Sequence, residues 1–163
     1  MNPHDQLLGL KPSKDFFIGI DSDGCAFDTM EIKQKECFCP NFIKYFNLQP
    51  VSKYARETWE FVNLYSTNRG CNRFIAVYEA LALLATRPEI KARNFTVPSA
   101  LPLFEWTKKE TKLGNPTLKK YSEEANNPFI FKTLEWSMKV NEDIEKLVFG
   151  ITPFPYVKEC LEK

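Results

Sequence analysis

Hydrophobic positions in this chain recur at helical spacing through most of its length, and at one place, FFIGI at 16–20, they run together without a break. A short apolar, aromatic run bounded by Lys14-Asp15 and by a polar, glycine-containing turn predicts a fully buried β-strand. Past Thr29 the period becomes helical. Helices are expected over 41–46 and 52–65, the second capped by Ser52 and broad in aromatic residues (Tyr54, Trp59, Phe61, Tyr65). Over 72–86, Asn72 can cap, and Phe74, Ile75, Val77, Tyr78, Leu81, Leu83 and Leu84 cover enough of the cylinder for the helix to be central to a bundle. Arg87-Pro88 ends it, because a proline disfavours helical geometry in the residue before it. A loop follows through 94–98, and Ser99 can cap a helix that runs to Lys112. Further helices are expected over 117–125, 129–138 and 142–148, the last capped by Asn141, and over 153–163 after prolines suited to a first turn.

Composition narrows the class. A hydrophobic share of 44% with 14 Phe argues for a folded core. The 22 Lys plus Arg against 21 Asp plus Glu leave no electrostatic footprint for nucleic acid or an anionic membrane. No apolar run approaches the roughly 18 residues of a membrane span, and the N-terminus has no secretory pattern, so a cytoplasmic protein is expected. Five cysteines, an odd number, read as reduced thiols. The close pair Cys37 and Cys39 reads as buried or half-buried thiols rather than as a zinc site, since the single His4 stands in the N-terminal tail.

The candidate chemistry lies where the predicted strand ends, in D21-S-D23-G24-C25-A26-F27-D28. Carboxylates just past the end of a buried strand sit where open α/β sheets bind ligands. Asp21 and Asp23, one residue apart in extended chain, point to one side and could share a Mg²⁺ ion or a reacting group, while Gly24 permits a positive φ. The plainer reading is a solvated acidic turn. A second region, T67-N68-R69-G70-C71-N72-R73, sets two arginines around a helix start, so Asn68, Arg69 and Arg73 are candidate contacts for an anionic substrate; ordinary capping and solvated arginines are the competing reading. Trp59, Trp106 and Trp136 read as core.

The stretch I-G-I-D21-S-D23-G24-C25-A26-F27-D28-T29 resembles the first motif of the haloacid dehalogenase-like (HAD) superfamily, a hydrophobic strand ending in D-x-D-G-T-L/V-x-D-S/T. It departs at Cys25, where Thr is usual, and at Ala26, where Leu or Val is usual. The resemblance implies an α/β fold of which this chain is mostly the α part: core strand and motif over 1–29, a helical type-one cap over 30–150, and over 151–163 the start of the helix that returns to the core. It implies a Mg²⁺-dependent phosphohydrolase for a small phosphorylated metabolite. Asp21 would be the nucleophile, Asp23 the general acid and base, and the metal would be held by the Asp21 carboxylate and the Asp23 main-chain carbonyl. An Asp at position 23 points to a phosphatase or a phosphomutase. The second-motif Ser or Thr, third-motif Lys and fourth-motif acidic pair do not follow, so the expectation is the N-terminal part of a larger hydrolase, inactive by itself. The alternative from another class is a non-catalytic helical interaction module with a vestigial acidic turn.

Overall fold

The computed structural model of the protein describes residues 11, 13–16, 18–147 and 151–162. Among them the chain is mostly helical. Helix α1, Thr29–Ile32, runs through a π-helical stretch, Lys33–Phe38, directly into α2, Cys39–Tyr45. The wider winding has a local cause: Cys39 N–H donates to the Gln34 carbonyl five residues back, and Pro40, next in the chain, has no N–H to offer. After a 3₁₀ turn, Gln49–Val51, α3 spans Ser52–Glu60 and ends in a second π-helical turn, Phe61–Tyr65. Then come α4, Arg73–Thr86; α5, Pro88–Ala92; α6, Leu101–Lys109; α7, Asn115–Ala125; α8, Pro128–Leu147; and α9, Val157–Leu161.

Several expectations hold at the level of single bonds. Asn72 caps α4, its Oδ1 accepting from Phe74 N–H at 3.0 Å, and α4 buries Phe74, Ala76, Val77, Ala80, Leu81 and Leu84 before stopping at Arg87-Pro88. Ser99 Oγ accepts from Leu101 N–H at 3.4 Å, but Ala100 rather than Ser99 holds the capping position of α6, which ends at Lys109, short of the expected Lys112. Ser52 makes no capping bond, because the 3₁₀ turn leads straight into α3 and Val51 holds the capping position. The two helices expected over 129–138 and 142–148 are one. Asn141 is interior to α8 and its side chain is taken by Arg73, so it interrupts nothing. Val148 lies outside the described residues.

The expected buried strand is overturned. No strand occurs among the described residues, and in the 16–20 run Phe16 is 89% exposed, Ile18 82% and Ile20 51%. A strand needs a neighbour for its backbone N–H and C=O groups and a layer on each face, and the helices here offer neither. Phe17 lies outside the described residues.

The core is an aromatic stack around α8. Ile130, Thr133, Trp136, Ser137 and Val140 form its buried stripe, against which α2, the first π stretch, α6 and α7 pack. Phe42 lies 4.6 Å from Trp59 between ring centroids, and Trp59 lies 5.8 Å from Trp136 edge-on. A second group joins α4, α6 and α7 through Phe74, Trp106 and Tyr121. All three tryptophans are therefore core residues, as their spacing implies. Cys37 and Cys39 are buried free thiols, and burial pushes the Cys39 thiol up to about 12. Among the described residues no helix is long and apolar enough to cross a membrane.

Candidate functional site

The acidic turn is built by its own backbone. Gly24 N–H donates to the Phe27 carbonyl at 2.8 Å and Phe27 N–H to the Ser22 carbonyl at 3.0 Å, which curls the chain tightly enough to put Gly24 at φ +72°. An L side chain is strained there, and a Cβ on Gly24 would come within 3.2 Å of Met30 Cβ. The positive φ expected of Gly24 is present. Asp28 occupies the capping position of α1 without making a side-chain capping bond.

The two carboxylates meet different surroundings. Asp21 is exposed, and its Oδ1 accepts from Ser22 N–H at 2.9 Å. Asp23 accepts from Thr29 Oγ1 at 2.7 Å and from Lys33 Nζ at 2.9 Å on Oδ1 and 2.8 Å on Oδ2. The Lys33 ammonium, seconded by the Thr29 hydroxyl, holds the Asp23 carboxyl below the usual carboxylate range. Thr29 and Lys33 stand four residues apart on successive turns, and so on one face.

Across from the turn stands the loop that leads into α4. Arg69 is exposed; its guanidinium reaches the Leu64 carbonyl at 3.4 Å and comes within 4.0 Å of where a Gly24 Cβ would lie. Arg73 is half-buried and joins Asp23, Lys33 and Asn63 in lining a cavity of about 260 Å³ floored by Phe38. Asn68 does not line this cavity; its N–H donates to Ser66 Oγ at 3.0 Å within the loop. Of the residues singled out from sequence, Asp23 and Arg73 thus line one cavity and Arg69 stands beside Gly24, whereas Asp21 and Asn68 do not line that cavity. Lys33, Thr29 and Asn63 were not singled out. The spacing of Thr29 and Lys33 was there to read, but nothing in the sequence aims them at a carboxylate up to ten residues back.

Residues 151–162 close the other side of the turn. Phe154 N–H donates to the Ala26 carbonyl at 3.0 Å, and Pro153 pairs with Phe27 as an isolated antiparallel bridge.

For a divalent cation the donor set is small. Among the described residues no three His, Cys, Asp or Glu side chains cluster, and Lys33 already neutralises the Asp23 carboxylate. What stays open is the Asp21 carboxylate and the Asp23 main-chain carbonyl, two hard oxygens of the kind Mg²⁺ accepts when water and phosphate complete its shell. Comparison with protein families, with characterised proteins and with solved structures returns no match. The chemistry of the site is therefore argued from its own residues.

Proposed function

We propose that this chain is the first motif and helical cap of a HAD-like, Mg²⁺-dependent phosphohydrolase acting on a small phosphate ester. The observation that supports the reading is that Asp23 of the acidic turn lines one cavity together with Arg73. In this reading an Asp21 carboxylate oxygen attacks phosphorus, the ester P–O bond breaks, and the leaving oxygen takes a proton from Asp23. Asp23 then takes a proton from water, which attacks the aspartyl-phosphate and releases phosphate and free Asp21. Lys33 holds Asp23 as the anion, the form the second step requires; in the first step substrate entry has to draw Lys33 away so that Asp23 carries a proton. Mg²⁺, held by the Asp21 carboxylate and the Asp23 carbonyl, would neutralise charge on the phosphoryl oxygens. The reading also requires a phosphoryl-binding Ser or Thr, a Lys and an acidic pair, the groups that the resemblance assigns to the remaining motifs.

The test has two arms. In a polypeptide carrying all four motifs, Asp21→Asn abolishes Mg²⁺-dependent phosphate release from an aryl phosphate; undiminished release would remove Asp21 as the nucleophile. In the 163-residue chain, Mg²⁺ shifts the Asp21 and Asp23 amide resonances and Asp21→Asn removes that response. A chain with no Mg²⁺ response in either arm is better read as a helical interaction module, for which the exposed Phe16, Ile18 and Ile20 would be the natural contact edge.

A further inference from the structure

The cavity behind the acidic turn holds two cations and one anion, and they are not evenly matched. Lys33 is neutralised by Asp23 at 2.8 Å. Arg73 is not paired with any carboxylate among the described residues. Its Nη1 donates to the Ser137 carbonyl at 3.3 Å, to Ser137 Oγ at 3.2 Å and to Asn141 Oδ1 at 2.6 Å, all uncharged acceptors, while its guanidinium lies 5.0 Å from the centroid of the Phe38 ring. These contacts, shared by the two hydrogens of Nη1, and the nearby Phe38 ring hold the guanidinium in place. Nε and Nη2 are left without a protein acceptor among the described residues. Burial lowers the affinity of the guanidinium for its proton, yet arginine stays charged in proteins, so the cavity wall carries an uncompensated positive charge.

A half-buried, pre-oriented guanidinium is costly to leave without an anion, and it matches the bidentate geometry of a phosphate or a carboxylate. A second hollow, of about 400 Å³, also borders Arg73, but Asn141, which lines it, already takes an Arg73 hydrogen there. On the side shared with Asp23 the one carboxylate in the wall is occupied by Lys33. Asn63 adds a fixed amide to that side, its Nδ2 committed to the Trp59 carbonyl at 2.9 Å and its Oδ1 open to a ligand hydroxyl.

We infer that the cavity between the acidic turn and the start of α4 is a binding site for a small oxyanion, with Arg73 as its receptor and Phe38 and α8 as the supports that orient it. The site does not depend on Asp21 acting as a nucleophile, so it can stand if the hydrolase reading fails. Combined with that reading, it makes the substrate a molecule with a second anionic group besides the one presented to Asp21.

Inorganic phosphate, titrated into the 163-residue chain at constant ionic strength against chloride, tests the site directly by NMR. Expected is a saturable shift of the Arg73 Nε–Hε resonance. Arg73→Met, which keeps an apolar stem over Phe38, weakens binding about tenfold or more, as loss of charge-assisted hydrogen bonds implies, and Asp21→Asn leaves it intact. Acetate in place of phosphate separates the two chemistries, because a general oxyanion receptor responds to both and a phosphate-selective one to phosphate alone. An Arg73 resonance that phosphate moves no more than chloride does would overturn the inference, and that measurement needs no variant. Undiminished binding by a folded Arg73→Met chain would overturn it equally.

Discussion

Lys33 changes what Asp23 is. A carboxylate half exposed to water would ordinarily titrate near 3.8, and here the ammonium and the Thr29 hydroxyl hold it lower. The linkage has a definite sign: a group depressed in the folded state adds stability above its unfolded value, and that contribution is lost as pH falls through the folded value. In Lys33→Met the Asp23 carboxyl therefore titrates at higher pH, moving toward 3.8, which ¹³C NMR of the carboxyl carbon follows; an unmoved midpoint would show that Lys33 does not govern it. Stability at neutral pH changes by less than about 1 kcal/mol, since the pair is solvated and exposed pairs contribute little. This residue was not legible in the sequence. The contact that gives Lys33 its role spans ten positions and requires the turn at Gly24 to fold back over α1, a geometry that neither periodicity nor motif encodes. Asp21, Asp23 and the φ of Gly24 were legible because they are properties of a few consecutive residues.

Helices are where local pattern and final structure agree best, and α4 and α8 show why agreement is incomplete. α4 was readable from end to end because its cap, its apolar face and its terminating proline all act within a turn or two. Asn72→Ala removes a bond to Phe74 N–H and another from Nδ2 to the Leu113 carbonyl at 3.0 Å, and a loss of about 1–2 kcal/mol is expected in urea denaturation. α8 was divided at Asn141 because an asparagine before an acidic helical stretch has the look of a cap. Its side chain instead serves Arg73, 68 positions away, and long-range use of a residue leaves no local trace. The same helix separates packing from exposure cleanly. Trp136 is fully buried among Phe38, Phe46 and Trp59, whereas Met138, two positions on, is 58% exposed. Trp136→Ala should cost about 3–5 kcal/mol and Met138→Ala close to nothing. Equal effects from the two would mean that α8 is not seated as described.

At the scale of the molecule, the misread strand is the instructive case. Apolar residues over 16–20 satisfy every local criterion for a buried strand, but burial is a property of neighbours, and the helical block supplies no strand to pair with. Replacing Phe16 and Ile18 by serine should accordingly leave the thermal midpoint of this chain unchanged, since neither side chain is removed from water on folding; a fall in the midpoint would show that they are packed in solution. The block also enters and leaves at one point, for Ala26 and Phe27 near its start are bonded to Pro153 and Phe154 beyond its end. A unit with adjacent ends can be spliced into a loop of another fold without stretching its host. Asp21 stands two residues before Asp23, which Thr29 and Lys33 clamp to α1, so the junction that joins the ends of the block also fixes where the acidic turn begins.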